Sequence, residues 1–451
     1  MALRLEDTLP SQTASPLNRR PVNNDYVNKL RPEDRAFHDW YRFVLSFPPH
    51  LVREYLERFG VGRSQVVLDP FCGTGTTVVE CAKLGVSSVG LEANPMPHFA
   101  GVVKTDWRPD PGGLLAHSRD VAAKAAARLA GDGVEDEPAL YIQPDGRLQL
   151  RTLSPERLSL LLTHSISPLP LHKTLVLLDC LEEFKDARFH RHELLALAKA
   201  LVTSIGNLAF GPEVGVGLIK PDAPVIAPWL AGVRTMAADL ADARSRGLIG
   251  ASAVVHHADS RQIGTVLESG LVDAVITSPP YPNEKDYTRT TRLESVLLGF
   301  IPDNQGLRSL KRGLLRSNTR GVYKGDDDDL WAAHIPEVDR LAEEIEARRV
   351  ALGKTSGFER MYARVTRLYF GGMARHLAEL RRVLRPGARL AYVVGDQASY
   401  LRVMIRTGQV LANIGQSLGY ELAGIDLHRT RLATATREQL REEVVLFRWP
   451  G

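Results

Sequence analysis

The chain is short of cysteine: only Cys72, Cys81 and Cys180 occur in 451 residues. No two of them stand in Cys-x-x-Cys spacing, so neither a zinc site nor a disulfide framework is supported. They read as small buried hydrophobes in a reducing compartment. Long apolar runs are also missing. None reaches the roughly 18 residues that suggest a membrane-spanning helix, and the N-terminus lacks the apolar core of a secretory signal. Nor is there a large excess of charge of one sign. With 57 Lys+Arg against 53 Asp+Glu, the net charge of +4 permits a polyanionic partner without demanding one. No metal site is expected either. His190 and His192 lack ligand spacing with a carboxylate, and the consecutive aspartates 326–329 read as a solvated loop.

What is present is concentrated in two stretches. The first is Val66-Val67-Leu68-Asp69-Pro70-Phe71-Cys72-Gly73-Thr74-Gly75-Thr76-Thr77. An apolar strand runs into an acidic residue and a glycine turn, and a helical pattern follows through Val78, Val79, Cys81, Ala82 and Leu84. A second strand, Ser88 to Leu91, ends in Glu92. Strand, glycine loop, helix, strand and carboxylate make the first half of a doubly wound nucleotide-binding sheet. The glycines let backbone approach a ligand, and the acidic residue suits a ribose diol. Alone, this implies a cofactor containing adenosine. The second stretch, Asp273-Ala274-Val275-Ile276-Thr277-Ser278-Pro279-Pro280-Tyr281, is another buried strand ending in Ser-Pro-Pro-Tyr.

Together, Asp-Pro-Phe-Cys-Gly-Thr-Gly-Thr-Thr and Thr-Ser-Pro-Pro-Tyr resemble the S-adenosylmethionine-dependent DNA aminomethyltransferases, which methylate cytosine N4 or adenine N6. The Ser-Pro-Pro-Tyr form resembles the cytosine-N4 branch; the adenine branch more often carries Asp or Asn at the position of Ser278. The resemblance implies an α/β fold: a doubly wound, Rossmann-like methyltransferase sheet with a helical insertion and a smaller second one. It implies S-adenosyl-L-methionine as cofactor and double-stranded DNA as partner. It also implies a bacterial, cytoplasmic, nucleoid-associated setting with no membrane partner, in which a cognate restriction endonuclease is a candidate companion. The chain has no Pro-Cys dipeptide, which argues against carbon methylation by a cysteine nucleophile.

The resemblance also assigns residues. Ser278, Pro279, Pro280 and Tyr281 carry catalysis. Phe71, Gly73, Gly75, Thr76 and Thr77 hold the methionine moiety near a helix N-terminus, and Asp69 orders that loop or meets the ammonium group. Glu92 takes the ribose, Asp259 the adenine amine, and Phe47 with Pro48 packs against the methionine end. The chemistry suits these types. A ring-conjugated amine is a poor nucleophile, and acceptors such as Ser278 Oγ and the Pro279 carbonyl draw it towards tetrahedral geometry. Tyr281 suits stacking on a base rotated out of the duplex.

In chain order, residues 1–30, with Arg19-Arg20, read as a flexible arm. Residues 31–100 form the cofactor half of the core, including a helix after Pro49 with Leu51, Val52, Tyr55, Leu56 and Phe59 on one face. Residues 101–250 read as an inserted helical subdomain, with helices over about 115–129, 155–163, 193–205 and 230–240. The catalytic half follows at 251–300, a second, irregular insertion at 301–355, and the rest of the core at 356–451, where a helix over about 359–384 stops at Arg385-Pro386-Gly387. The motif order departs from the branch in which Ser-Pro-Pro-Tyr is most typical, where the catalytic motif comes first. Target recognition therefore falls to 101–250, to 301–355, or to both. Adenine-N6 methylation, guanine-N2 methylation of RNA and non-catalytic DNA binding stand as the alternative readings.

Overall fold

The two faces of the central strands bury different cores, because side chains alternate along a strand. Val67, Ala274, Ile276, Ala391, Val393, Val444 and Leu446 pack on one face with Leu51, Val52, Tyr55 and Leu56. Leu68, Val275, Leu390, Tyr392, Val445 and Phe447 pack on the other, with Tyr369, Met373, Leu377, Val410 and Ile414. The computed structural model describes residues 30–42, 46–137, 149–210, 214–248, 252–283, 285–432 and 439–451. The expected N-terminal arm with Arg19-Arg20 lies outside these, as does Glu284 of the loop after the second motif.

The strands are β1 (Val66–Asp69), β2 (Ser87–Glu92), β3 (Leu208–Phe210), β4 (Val214–Val216), β5 (Ala253–His257), β6 (Val272–Thr277), β7 (Leu384–Gly395), β8 (Glu421–Leu432) and β9 (Gln439–Arg448). Seven make one sheet in the order β5-β2-β1-β6-β7-β9-β8, while β3 and β4 form a separate hairpin. The first five are parallel and β9 runs against both its neighbours. The chain walks outward from β1 through β2 to β5, then returns to the other side of β1 with β6. That reversal opens a crevice at the carboxyl ends of β1 and β6, where ligands bind in open α/β sheets. The expected doubly wound α/β sheet is what the chain forms, closed by an antiparallel strand pair.

Local sequence explains the elements that frame the crevice. The helix Pro49–Arg58 begins with proline at its first turn and buries Leu51, Val52, Tyr55 and Leu56 on the sheet, as expected. The helix Thr76–Leu84 starts straight after Gly75 and ends at Gly85, both left-handed. The helix Pro95–Thr105 is capped by Asn94 and runs through the boundary drawn at residue 100. Within 101–250 lie the helices Pro111–Gly131, Pro155–Leu160, Pro168–Glu183, His190–Ala200 and Ile226–Ser245. The second of the long ones, Pro168–Glu183, was missed because its apolar residues run nearly all round it: nine of its positions are buried, Lys173 among them.

Three expectations need correction. The helix expected to run to residue 384 is Tyr362–Leu380, and Arg385-Pro386-Gly387 is the irregular head of β7. Between two pairings β6 advances two residues while β7 advances five, Val272↔Leu384 to Ala274↔Arg389. Pro386 has no N–H for the ladder, and Gly387 takes a positive φ of 86° that releases the bulge. The second insertion is less irregular than expected, holding the helices Asn304–Gly313 and Pro336–Ala351. The aspartate run is not simply solvated. Asp328 is buried and pairs with Arg261 and Arg375, and Asp326 pairs with Arg316 at 2.8 Å.

Candidate active site

A cavity of about 720 Å³ occupies the crevice, within the range of small-molecule sites. Both sequence motifs reach it. Phe71, Cys72, Gly73, Thr74 and Thr76 form one wall, Glu92 and Asp259 the next, and Ser278 to Tyr281 the far end; Phe47 and Pro48 close the near side. Among the expected site residues, Asp69, Gly75 and Thr77 do not line it.

Those three act from behind. Gly75, at φ 88°, turns the loop so tightly against the helix Pro95–Thr105 that a Cβ there would sit 3.1 Å from Gly101 Cα. Thr77 is fully buried and donates its hydroxyl to the Ile276 carbonyl at 3.1 Å, away from the cavity. Asp69 Oδ1 accepts from Thr277 Oγ1 at 2.6 Å and from the Phe71 N–H at 3.1 Å. Asp69 thereby joins the end of β1 to the residue preceding Ser278, so the two motifs share one bracket. Burial pushes its carboxyl up to about 6, against the pull of its hydrogen bonds. Its Oδ2 is buried without a hydrogen-bond partner among the described residues.

Glu92 is held by the glycine loop it faces. Its Oε2 accepts from Gly73 N–H at 2.9 Å and its Oε1 from Asn94 N–H at 2.7 Å. Burial nevertheless raises its carboxyl to about 7. Asp259 lies on the cavity wall, where its oxygens accept from Arg261: the backbone N–H at 2.9 Å, Nε at 3.0 Å and Nη2 at 2.6 Å. The same guanidinium pairs with Asp328 and donates to the Gly313 and Leu314 carbonyls. Residues 313–328 are thus fastened beside the expected adenine end of the site.

At the far end, Ser278 donates its hydroxyl proton to the Val393 carbonyl at 3.1 Å. Its oxygen keeps lone pairs with which to accept, beside the Tyr281 phenol. The Tyr281 N–H donates to Tyr287 Oη at 3.3 Å, and burial raises the Tyr281 phenol well above its ordinary value, so it stays neutral. The loop after the motif is tied to the second insertion: Asn283 N–H donates to the Ser317 carbonyl, Asn318 Nδ2 to the Lys285 carbonyl, and Lys311 Nζ to Asp286.

Two groups of residues escaped the sequence reading. Lys104 is buried, with Nζ donating to the Thr74 carbonyl at 2.8 Å and the Tyr41 carbonyl at 3.2 Å. Desolvation lowers its amine to about 7. A lysine following Gly101-Val102-Val103 on an apolar helix face was the available signal. The other group is Arg429 and Glu442, an ion pair on the cavity wall from β8 and β9; two charges at alternate strand positions gave no sign of it. Among the described residues no cluster of three or more His, Cys, Asp and Glu is arranged to hold a metal.

The residues fit S-adenosylmethionine. Glycine-loop backbone at a helix N-terminus suits its carboxylate, Glu92 a ribose diol, and the unpartnered Asp69 oxygen shows negative polarity behind the loop. Fold and site together suit an S-adenosylmethionine-dependent methyltransferase. A family model for N6/N4 methyltransferases, described as DNA methylase, matches residues 18–97. The chain is 25% identical over 464 residues to the Type II methyltransferase M.BsoBI of Geobacillus stearothermophilus, covering 95% of this chain and 88% of that protein. It is 23% identical to the Type II methyltransferase M.AvaI of Nostoc sp., covering 96% and 89%. A shorter match, 34% over 71 residues, spans 16% of this chain and 20% of a tRNA (guanine(10)-N2)-dimethyltransferase of Methanothermobacter thermautotrophicus. The tRNA enzyme is matched over that short stretch, the two Type II methyltransferases over nearly the whole chain. The resemblance read from the motifs holds: the family model and the nearly full-length Type II relatives support an S-adenosylmethionine-dependent methyltransferase of the DNA N4/N6 type. No helix among the described residues is long and apolar enough to cross a membrane.

Proposed function

We propose that the chain methylates the exocyclic N4 amine of cytosine in double-stranded DNA, on a base rotated out of the helix. The observation that carries this is the commitment of the Ser278 proton to Val393, 3.1 Å away, beside the cavity. With its hydrogen so engaged, Ser278 Oγ accepts from one N–H of the target amine, and the Pro279 carbonyl accepts from the other. Both draw the nitrogen lone pair out of conjugation. Pro279 and Pro280 fix φ, so the carbonyl keeps its aim. Tyr281, neutral and flanked by the sheet, stacks on the base. The cofactor supplies a methyl group on a sulfonium centre, a strong donor by itself. What the chain contributes is position and orientation.

On the cofactor side, Gly73, Thr76 and the backbone of Phe71 to Thr74 cradle the methionine end, with Phe47 and Pro48 packed against it. Glu92 accepts from the ribose and Asp259 from the adenine amine. Asp69, Gly75 and Thr77 hold the loop in place. The choice of cytosine rests on serine at the head of the motif. Both insertions are assigned to target reading: Lys311, Arg316 and Asn318 of the second reach the cavity rim, and Arg289 beside it donates to Val214 of the first. The Type II relatives support a role as the modification partner of a restriction endonuclease.

The test is to incubate the protein with unmethylated bacterial DNA and labelled S-adenosylmethionine, digest to nucleosides and identify the product by mass spectrometry. N4-methylcytosine is expected. N6-methyladenine would keep the fold and cofactor but overturn the base assignment, and label in RNA alone would overturn the DNA reading.

A further inference from the structure

At the carboxyl end of the sheet, three cross-strand neighbours stand next to Tyr281. Gly395 of β7 pairs with Glu442 of β9, and Glu442 pairs with Arg429 of β8. Directly opposed residues project from the same face, so the three form a row. Its first member has no side chain, and the catalytic loop uses the space. A Cβ at 395 would lie 3.0 Å from Tyr281 Cε2 and 3.4 Å from Glu442 Cγ. The Tyr281 ring and Glu442 therefore stand side by side over bare backbone.

Arg429 completes the row. Its Nε donates to Glu442 Oε2 at 2.5 Å and its Nη2 to Oε1 at 2.7 Å, a two-pronged pairing that fixes the plane of the guanidinium. Both side chains are mostly buried, at 17% and 11% exposure. A guanidinium has five N–H groups. Two are spent on Glu442, and the other three have no hydrogen-bond partner among the described residues. Arg429, Glu442 and Tyr281 all line the cavity. A cross-strand ion pair that served the sheet alone would not need to sit there with donors to spare.

We infer that Arg429 is a specificity-determining residue that donates to the pyrimidine edge of the target base, and that Glu442 is the positioning residue holding it. The inference rests on the cytosine-N4 reading above. Once an amine is held at Ser278, the next edge atom is an acceptor in either base, N3 of cytosine or N1 of adenine. The following atom separates them: cytosine offers the O2 acceptor, adenine a C–H. Spare guanidinium donors are rewarded by cytosine and left unpaired by adenine. Buried donors that lose their acceptor discriminate strongly.

The experiment uses the full chain and two duplexes carrying its mapped target site. One has cytosine at the target, the other a cytosine analogue with hydrogen at C2 in place of O2. The intact protein should methylate the analogue at least about 30-fold more slowly. In Arg429→Met the two rates should come within about threefold of each other, through loss on cytosine, with S-adenosylmethionine affinity unchanged. Glu442→Gln, which keeps the guanidinium but loosens it, should shrink the ratio partway and serves if Arg429→Met fails to fold. A merely structural role would slow both duplexes equally and keep the ratio. That result, or an intact protein indifferent to O2, overturns the inference while N4-methylcytosine still forms. Formation of N6-methyladenine by the intact protein is a different failure, of the base assignment itself.

Discussion

The two ends of the cavity are built in opposite ways. The proposed cofactor end is built on one stretch of chain: the loop of Phe71 to Thr76 is stitched to Glu92 through Gly73 and to β6 through Asp69. The proposed base end is assembled from afar, with Ser278 bonded to Val393, Asn283 to residue 317, and Tyr281 beside Glu442. One end is preorganised by backbone and turn geometry, the other by side chains from separate elements. Binding and turnover should therefore be separable by mutation.

The sharpest break is expected at the base end. Ser278→Ala and Tyr281→Ala should each lower kcat by roughly 100-fold or more, with S-adenosylmethionine binding by calorimetry within about threefold of the parent. Equal damage to both would merge the two ends into one. At the cofactor end, Asp69→Ala leaves the Thr277 hydroxyl and Phe71 N–H without their acceptor in a buried place. Such losses cost about 1–3 kcal/mol, so cofactor affinity should fall about 30-fold. Because Asp69 also brackets the Ser278 strand, kcat should fall as well, unlike a change at Glu92.

A smaller effect tests Glu92 by pH. Its carboxyl is raised to about 7, so the proton leaves as pH rises through that value. The ionised form is the better acceptor for two ribose hydroxyls, and its share grows about tenfold from pH 6 to 8. Affinity measured across that range should tighten by up to that factor, and Glu92→Gln should flatten the profile. For stability the sign is opposite: a raised acid favours the folded state below the ordinary carboxylate range, and that contribution is lost as pH climbs to about 7. The mildest change is Lys104→Met. It leaves the Thr74 and Tyr41 carbonyls without a donor, at about 1 kcal/mol for such a bond, and should weaken cofactor affinity about fivefold with kcat unchanged.

The same contrast explains what could be read from sequence. The cofactor end was legible because glycines, a strand and a helix start follow one another within twelve residues, Val66 to Thr77. The Ser-Pro-Pro-Tyr loop was legible for the same reason. Thr77 was placed on the wrong side of the loop, since a hydroxyl near a helix start does not announce which way it turns. Lys104, Arg261 with Asp328, and Arg429 with Glu442 depend on partners brought together by tertiary folding, and no local period marks them. The head of β7 misled because Arg-Pro-Gly reads as a helix stop, although the helix had ended at Leu380 and the proline sits in a bulge.

The helical insertion has a consequence for engineering. Its core is continuous with Phe37, Trp40 and Tyr41, with Met96, Ala100 and Val103 of the helix after β2, and with Leu293, Val296 and Leu297 after the Ser-Pro-Pro-Tyr loop. Exchanging residues 101–250 with those of a relative would therefore expose the back of the methyltransferase core. A chimera aimed at a new target sequence has to carry its N-terminal aromatics and the 292–301 segment with it, or restrict its changes to surface positions.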